Sequence, residues 1–313
     1  MRSSAASPEA RLPPLIVICG PTATGKTGLS LGLAERLSRA EIISADSRQV
    51  YRGMDIGTAK VSAADRARIA HHGLDLVGPD ARFSAADFRR HALAALAGIA
   101  SRGGTALLVG GSGLYIRAVA RDLPLEEEGS DPAARRHYEG RLAGEGLHVL
   151  VAELRSRAPV TAARVDSANP RRVVRALERV ELVGDRPPSP PRGYPAASAW
   201  IGLDTDPPTN DRWIAGRAAW QLEHGLLEET AALRARHDTG APAFSAIGYA
   251  EALAVLDGRL SRVAALAAMV RRTRQLARRQ RTWFRAEPGV EWLDPAATDP
   301  LPAALQRVRR LLA

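Results

Sequence analysis

Cysteine occurs once in the 313 residues, at Cys19 near the end of an apolar run, where a small buried side chain is expected. One cysteine excludes a disulfide framework and any zinc finger, and it fits a reducing compartment, the bacterial cytoplasm. Lysine is nearly as scarce: Lys26 and Lys60 are the only exceptions to arginine among 44 basic residues. Two ammonium groups kept in such a composition mark places where arginine's planar fork will not serve. No run of about 18 uncharged apolar residues occurs, so nothing is expected to span a membrane. The first segment, Met1 to Arg11, has no apolar stretch and contains Glu9; it reads as a short disordered leader and not as a signal peptide. Seven histidines show no metal-ligand spacing, and His71-His72 reads as a solvated pair. What the chain does have is 45% hydrophobic residues, enough for a proper core, and length for a core domain plus a smaller second one.

The net charge of +10 fits a polyanionic partner or simply arginine-rich usage, and composition does not separate the two. Distribution favours the first. Between Ser261 and Arg285, Leu266, Met269, Val270, Thr273, Leu276, Ala277, Gln280, Trp283 and Phe284 fall within about 140° of arc at the helical period. Arg271, Arg272, Arg274, Arg278, Arg279, Arg281 and Arg285 fill the opposite arc with no acid among them, an arrangement that phosphates would screen. A second helix is signalled by Asn169 as N-cap and Pro170 at the first helical position. There Arg171, Arg172, Arg175 and Arg179 share about 100° of arc, opposite Val173, Val174, Leu177 and Val180, and Glu178 and Glu181 border the stripe. Together the two helices point to a nucleic acid.

Gly20-Pro21-Thr22-Ala23-Thr24-Gly25-Lys26-Thr27 obeys the phosphate-loop pattern G-x-x-x-x-G-K-[ST]. It comes after the apolar run Leu15–Cys19 and precedes a helical pattern over Gly25–Ser38, the context the motif requires. Backbone N–H groups and the helix N-terminus would cradle a di- or triphosphate, Lys26 would neutralise it, and Thr27 would hold Mg²⁺. Further strands are predicted at Glu41–Ser44, Leu74–Val77, Thr105–Val109 and Trp200–Leu203, with helices at Ala85–Ala100 and Leu114–Ala120. This alternation predicts an α/β fold, a P-loop core on a doubly wound parallel sheet. From Arg121 to Pro195 the strand signal stops; three helices fit, near Pro132–Ala143, Leu147–Arg157 and Pro170–Val183, with Gly144, Pro159 and Gly184 as stops. The expected organisation is core over 12–120, a small all-helical insertion over 121–195, and core again over 196–313, helical from Asp211 and closing with the arginine-faced helix. Asp46, just past the second strand, lies beside the phosphate cleft, where it serves as a turn former, a proton acceptor or a water-mediated Mg²⁺ ligand. The run Ala106–Val109 leads into Gly110-Gly111 and not into an acid, so the Walker B carboxylate of a nucleotide-hydrolysing enzyme is missing.

These residues resemble one family, the tRNA dimethylallyltransferases, across nearly the whole chain from Leu15 to about Trp292. The resemblance rests on the phosphate loop, the long Ile43–Lys60 stretch, Gly110-Gly-Ser-Gly-Leu-Tyr115, Asn169–Glu178, Ile247-Gly-Tyr249 and Arg274–Arg285. It implies transfer of a dimethylallyl group from dimethylallyl diphosphate to N6 of the adenosine 3′ of the anticodon, with release of pyrophosphate and with Mg²⁺ as cofactor. It further implies that Thr22, Lys26, Thr27 and Arg217 bind the leaving diphosphate and that Asp46 takes the N6 proton. The implied contacts to the tRNA anticodon stem-loop are Asp46, Ser47, Arg48, Gln49, Ser112, Arg135, Arg171, Arg172, Val173, Val174, Arg175, Ser245, Ala246, Ile247, Gly248, Tyr249, Ala250, Arg278, Arg279, Gln280, Arg281 and Arg285. A cytoplasmic monomer is expected. The chain departs from the family pattern at Ser112, where Thr is commoner, at Ala250, where a basic residue is usual, and at Gln221, which replaces a Met and leaves Trp220 to shape the prenyl pocket. Two other readings share the loop: a small-molecule P-loop kinase and an adenylate isopentenyltransferase acting on free AMP. The helical insertion and the arginine helices favour a macromolecular acceptor over both.

Overall fold

Apolar runs with no polar alternation are the mark of strands buried on both faces, and β1 (Leu15–Cys19) is buried at every residue. In this computed structural model, which describes residues 12–125 and 130–313, β1 leads through the phosphate loop into α1 (Lys26–Ala34). Next come β2 (Ala40–Ser44), α2 (Ala63–Arg68), β3 (His71–His72), α3 (Ala85–Ser101), β4 (Thr105–Val109) and α4 (Gly113–Ala120). After α5 (Pro132–Glu145), α6 (Leu147–Arg157), α7 (Pro159–Ala162) and α8 (Pro170–Val183), the chain continues with β5 (Ser198–Leu203), α9 (Pro207–Glu223) and α10 (Leu226–Arg234). It closes with α11 (Tyr249–Leu256), α12 (Arg262–Arg285), β6 (Val290–Leu293) and α13 (Leu301–Leu312). The six strands form one parallel sheet in the order β3-β2-β4-β1-β5-β6. Leu15, Val17 and Cys19 face one apolar layer, and Ile16 and Ile18 face the other. Burial pushes the Cys19 thiol up to about 12, so it is inert packing.

Residues 122–193 cluster as a separate compact unit, Asp122–Gly193, and the rest of the chain forms the other. In the smaller unit α5, α6, α7 and α8 enclose a core that includes Tyr138, Leu150, Leu154, Val173 and Leu177. Its central polar node is Glu178, fully buried and joined to both Arg135 and Arg175.

Several expectations are corrected. The third strand is His71–His72 and not Leu74–Val77: Asp75 takes a left-handed φ of 55° and turns its carboxylate to Lys60 and Arg66, which breaks the extended run. His71-His72 is not a solvated pair; it pairs with β2, and the His72 ring meets Glu41 at 2.7 Å. The first helix stops at Ala34, short of Ser38, where Arg36 N–H bonds Leu33 O in a tightened last turn. Helix α5 runs through Gly144 and stops at Gly146, whose φ of 85° leaves the helical region. Beyond the arginine helix, β6 adds an edge strand beside β5, and α13 closes the chain. The expected leader, residues 1–11, lies outside the described residues. Among the described residues no helix is long and apolar enough to cross a membrane.

Candidate active site

The loop between β1 and α1 is shaped by one close approach. A Cβ on Gly20 would lie 2.1 Å from Leu203 O, so only glycine lets the chain turn here. Beyond it Ala23 is held at φ 66°, a conformation rare for a residue with a side chain. Lys26 Nζ donates to Pro21 O at 2.5 Å and Thr24 Oγ1 donates to the same carbonyl at 2.9 Å, which closes the loop on itself. Thr22 is held from outside: Asn210 Nδ2 donates to its carbonyl at 3.1 Å and Arg217 Nη2 to its hydroxyl at 2.8 Å, both from α9. Its N–H donates to Gln280 Oε1 on α12 at 2.8 Å.

A cavity of about 430 Å³ lies over this loop, lined by Thr22 to Thr27, Asp46, Trp213 and Arg217. A second, of about 390 Å³, is lined by Asp46 to Arg48, Ser112, Gln221, Ser245 to Ile247, Arg272 and Arg279. Thr22, Asp46, Thr58, Ala59, Gly111, Arg217 and Gln280 line both, so the two spaces meet at Asp46 and Arg217. Desolvation, and then the Arg217 charge, lower the Lys26 ammonium to about 8, against the opposing pull of Asp46. Desolvation also lowers Arg217 from its ordinary value. The floor of the first cavity is therefore electropositive and short of counter-charge, a setting that favours an oxyanion. Asp46 Oδ1 accepts from Arg48 N–H at 2.8 Å, so the residue does form a turn, and Oδ2 has no hydrogen-bond partner among the described residues.

Asp46 and its neighbours stand on a braced segment. Glu229 on α10 accepts from the N–H groups of Asp55 and Ile56, both at 2.9 Å, and from Gly57 N–H at 3.3 Å. Tyr249 OH donates to the same carboxylate at 2.5 Å. Lys60 Nζ, almost fully buried, reaches Tyr51 O, Asp55 and Asp75 at 2.6 to 2.8 Å, three acceptors around a point charge that a planar guanidinium cannot match. Glu229 and Asn210 belong to no local motif, so neither carries a signal in the sequence.

The arginines sort differently from the helical arcs. Acids distant in sequence pair four of the α12 set: Arg272 with Glu251, Arg274 with Asp211, and Arg281 and Arg285 with Asp204. Among the described residues Arg271, Arg278 and Arg279 make no ion pair, and all three are exposed. Within the helical unit Arg135 and Arg175 are committed to Glu178, which does not border a solvated stripe but is buried. Arg179 is buried and donates to Arg186 O, while Arg171 and Arg172 stay exposed. Val173 and Val174 are core residues, and Ala246, Gly248 and Tyr249 are buried, so none of these five presents a free side chain. Gln49 is likewise tied down, accepting from Ser44 Oγ and donating to Thr58 O and Ala59 O. Ser112 Oγ accepts from Ser47 N–H at 3.0 Å, so the hydroxyl at this position is in use.

A family model for IPP transferases matches residues 49–287. The chain is 43% identical to the tRNA dimethylallyltransferase of Bifidobacterium longum subsp. infantis, across 89% of this chain and 86% of that protein. This chain belongs to the tRNA dimethylallyltransferase family. Its relative in Pseudarthrobacter chlorophenolicus is 44% identical over 90% of this chain and 94% of the relative. The tRNA isopentenylpyrophosphate transferase of Bacillus halodurans has a similar crystal structure, with TM-score 0.70 and 36% identity over 95% of each chain. Within the family framework the departures now have places. Gln221 Nε2 donates to Ile56 O at 2.7 Å and Gly57 O at 3.1 Å, so it braces the second cavity. Trp220 is exposed, stacks on His224 at 4.5 Å and lines neither of these two cavities, whereas Trp213 lines the first.

The Lys26 value gives a pH test. In the free protein the ammonium loses its proton near pH 8, and a bound diphosphate holds that proton to higher pH. The complex then carries more protons than the free protein above pH 8, so affinity is complete below that pH and falls as pH rises through it. Titration calorimetry with pyrophosphate at pH 7 and pH 9 is expected to show about a tenfold loss attributable to Lys26, absent in Lys26→Met.

Proposed function

We propose that this chain transfers a dimethylallyl group from dimethylallyl diphosphate to N6 of the adenosine 3′ of the anticodon in tRNA, releasing pyrophosphate. The observation that carries this reading is the meeting of the two cavities at Asp46 and Arg217: a phosphate cradle opens onto an acceptor mouth with a free carboxylate oxygen at the junction. The N6–carbon bond forms as the allylic carbon–oxygen bond breaks, N6 loses a proton to Asp46, and the electron pair leaves on pyrophosphate. Negative charge grows on the leaving group during this step, so Lys26, Arg217 and the loop N–H groups stabilise the transition state more than the ground state. The wall where a Walker B acid would stand is Gly110-Gly111, which places no carboxylate against the diphosphate.

The donor set fits Mg²⁺. Thr27 offers an exposed hydroxyl in the wall that also holds Asp46, and among the described residues no three acids, histidines or cysteines converge. A hard cation here would take most of its oxygens from the diphosphate itself, and when bound it neutralises charge on the leaving group. For the acceptor, the unpaired Arg271, Arg278 and Arg279 on α12 supply phosphate contacts, as do exposed Arg171 and Arg172 on the helical unit. An anticodon-loop base unstacks at low cost, which lets N6 reach Asp46.

Competition between AMP and an anticodon stem-loop RNA for labelled donor is expected to label RNA alone, and labelled AMP would overturn the macromolecular acceptor. In the same assay Asp46→Asn should lower turnover roughly 10²–10⁴-fold with RNA affinity little changed. The joint variant Arg271→Ala, Arg278→Ala, Arg279→Ala should flatten the plot of log affinity against log salt by about 0.7–0.9 per lost contact. Arg281→Ala should instead lower stability by about 1–3 kcal/mol in urea unfolding, because it strips one of two arginine partners from the largely buried Asp204 carboxylate.

A further inference from the structure

Gln280 falls on the buried arc of α12, between the exposed Arg279 and the paired Arg281. Its side chain reaches away from the helix and joins two loops of the diphosphate site. Oε1 accepts from Thr22 N–H at 2.8 Å, and Nε2 donates to Gly111 O at 2.9 Å. A flipped amide would set donor against donor and acceptor against acceptor, so the two partners fix its orientation. The approach is close enough that a Cβ on Gly111 would lie 2.3 Å from Nε2. The amide thus fills the space that a side chain at position 111 would take, and it does so without charge.

The bond to Thr22 matters because the adjoining residue, Ala23, sits at φ 66°. Such a strained conformation persists only where its surroundings over-determine it. Asn210 and Arg217 hold the carbonyl and hydroxyl of Thr22 from α9, and Gln280 holds its N–H from α12. The helix that carries the unpaired arginines therefore also clamps the phosphate loop. We propose that Gln280 is a positioning residue that preorganises the diphosphate loop from α12, so that RNA on this helix and a diphosphate in the loop each tighten the other's binding. The coupling to RNA rests on the acceptor proposed above; the preorganisation does not.

The test uses the full chain, inorganic pyrophosphate with Mg²⁺, and an anticodon stem-loop RNA, read by calorimetry. In the wild type, saturating RNA is expected to tighten pyrophosphate binding about fivefold or more, the lower end for coupled sites. Gln280→Met preserves bulk and helix propensity but removes both hydrogen bonds. It should weaken pyrophosphate roughly tenfold without RNA and reduce the coupling to less than about twofold, whatever the two lost hydrogen bonds cost in thermal midpoint. A merely structural glutamine would weaken pyrophosphate and RNA together and leave the coupling factor intact. Unchanged pyrophosphate affinity in Gln280→Met, coupling retained in it, or no coupling in the wild type overturns the proposal; the last holds even if the variant fails to fold. An RNA that binds but is never prenylated contradicts the proposed acceptor and leaves the comparison without RNA standing.

Discussion

Thr22 is bound at all three of its polar positions by side chains from the second half of the chain: its N–H by Gln280, its carbonyl by Asn210, its hydroxyl by Arg217. A phosphate loop is usually explained by its own residues, yet here its strained Ala23 is set by α9 and α12, elements that come after the helical insertion in sequence. The loop, α9 and the arginine helix are consequently one mechanical unit. Anything that displaces α12 or α9 displaces the phosphate loop.

Charge obeys the same logic of placement. Arg217 lies close enough to Lys26 to lower it, in a wall where Asp46 is the group that pulls the other way on both. Away from the phosphate loop many arginines are spent on acids, and the carboxylates of Asp204, Glu251 and Glu178 are largely buried under theirs. Removing one partner from such a pair strands a buried charge, which costs more than the intact pair contributes. What remains unpaired on α12 is Arg262 at its start and the set Arg271, Arg278 and Arg279 further along, and it is this set that can exchange counterions with RNA phosphates.

Local grammar makes much of this fold legible in the sequence. The phosphate loop, the strands at Leu15–Cys19 and Thr105–Val109, and the cap at Asn169 all depend on near neighbours and stand where expected. Lys60 is recognisable as special because lysine is rare, and its three acceptors explain the choice. The partners of the arginines are not legible, since Asp204 and Glu251 lie far from them in sequence and no periodicity links a helix to a distant turn. The same holds for Glu229, a single residue on α10 that braces the Asp55–Gly57 backbone. Periodicity puts Gln280 on the right face of its helix, but its role at the phosphate loop depends on a contact across the fold. The edge strand His71–His72 escapes because Asp75 makes its bonds through a left-handed turn.

The central claim is that the phosphate cradle serves a prenyl diphosphate whose allylic carbon is passed across Asp46 to an RNA base. Intact-mass spectrometry of an anticodon stem-loop RNA incubated with the protein, dimethylallyl diphosphate and Mg²⁺ tests it most directly. The account predicts that the RNA gains the mass of one C5H8 unit, located on the adenosine 3′ of the anticodon. An RNA of unchanged mass, together with steady release of phosphate when ATP replaces the prenyl donor, would contradict it.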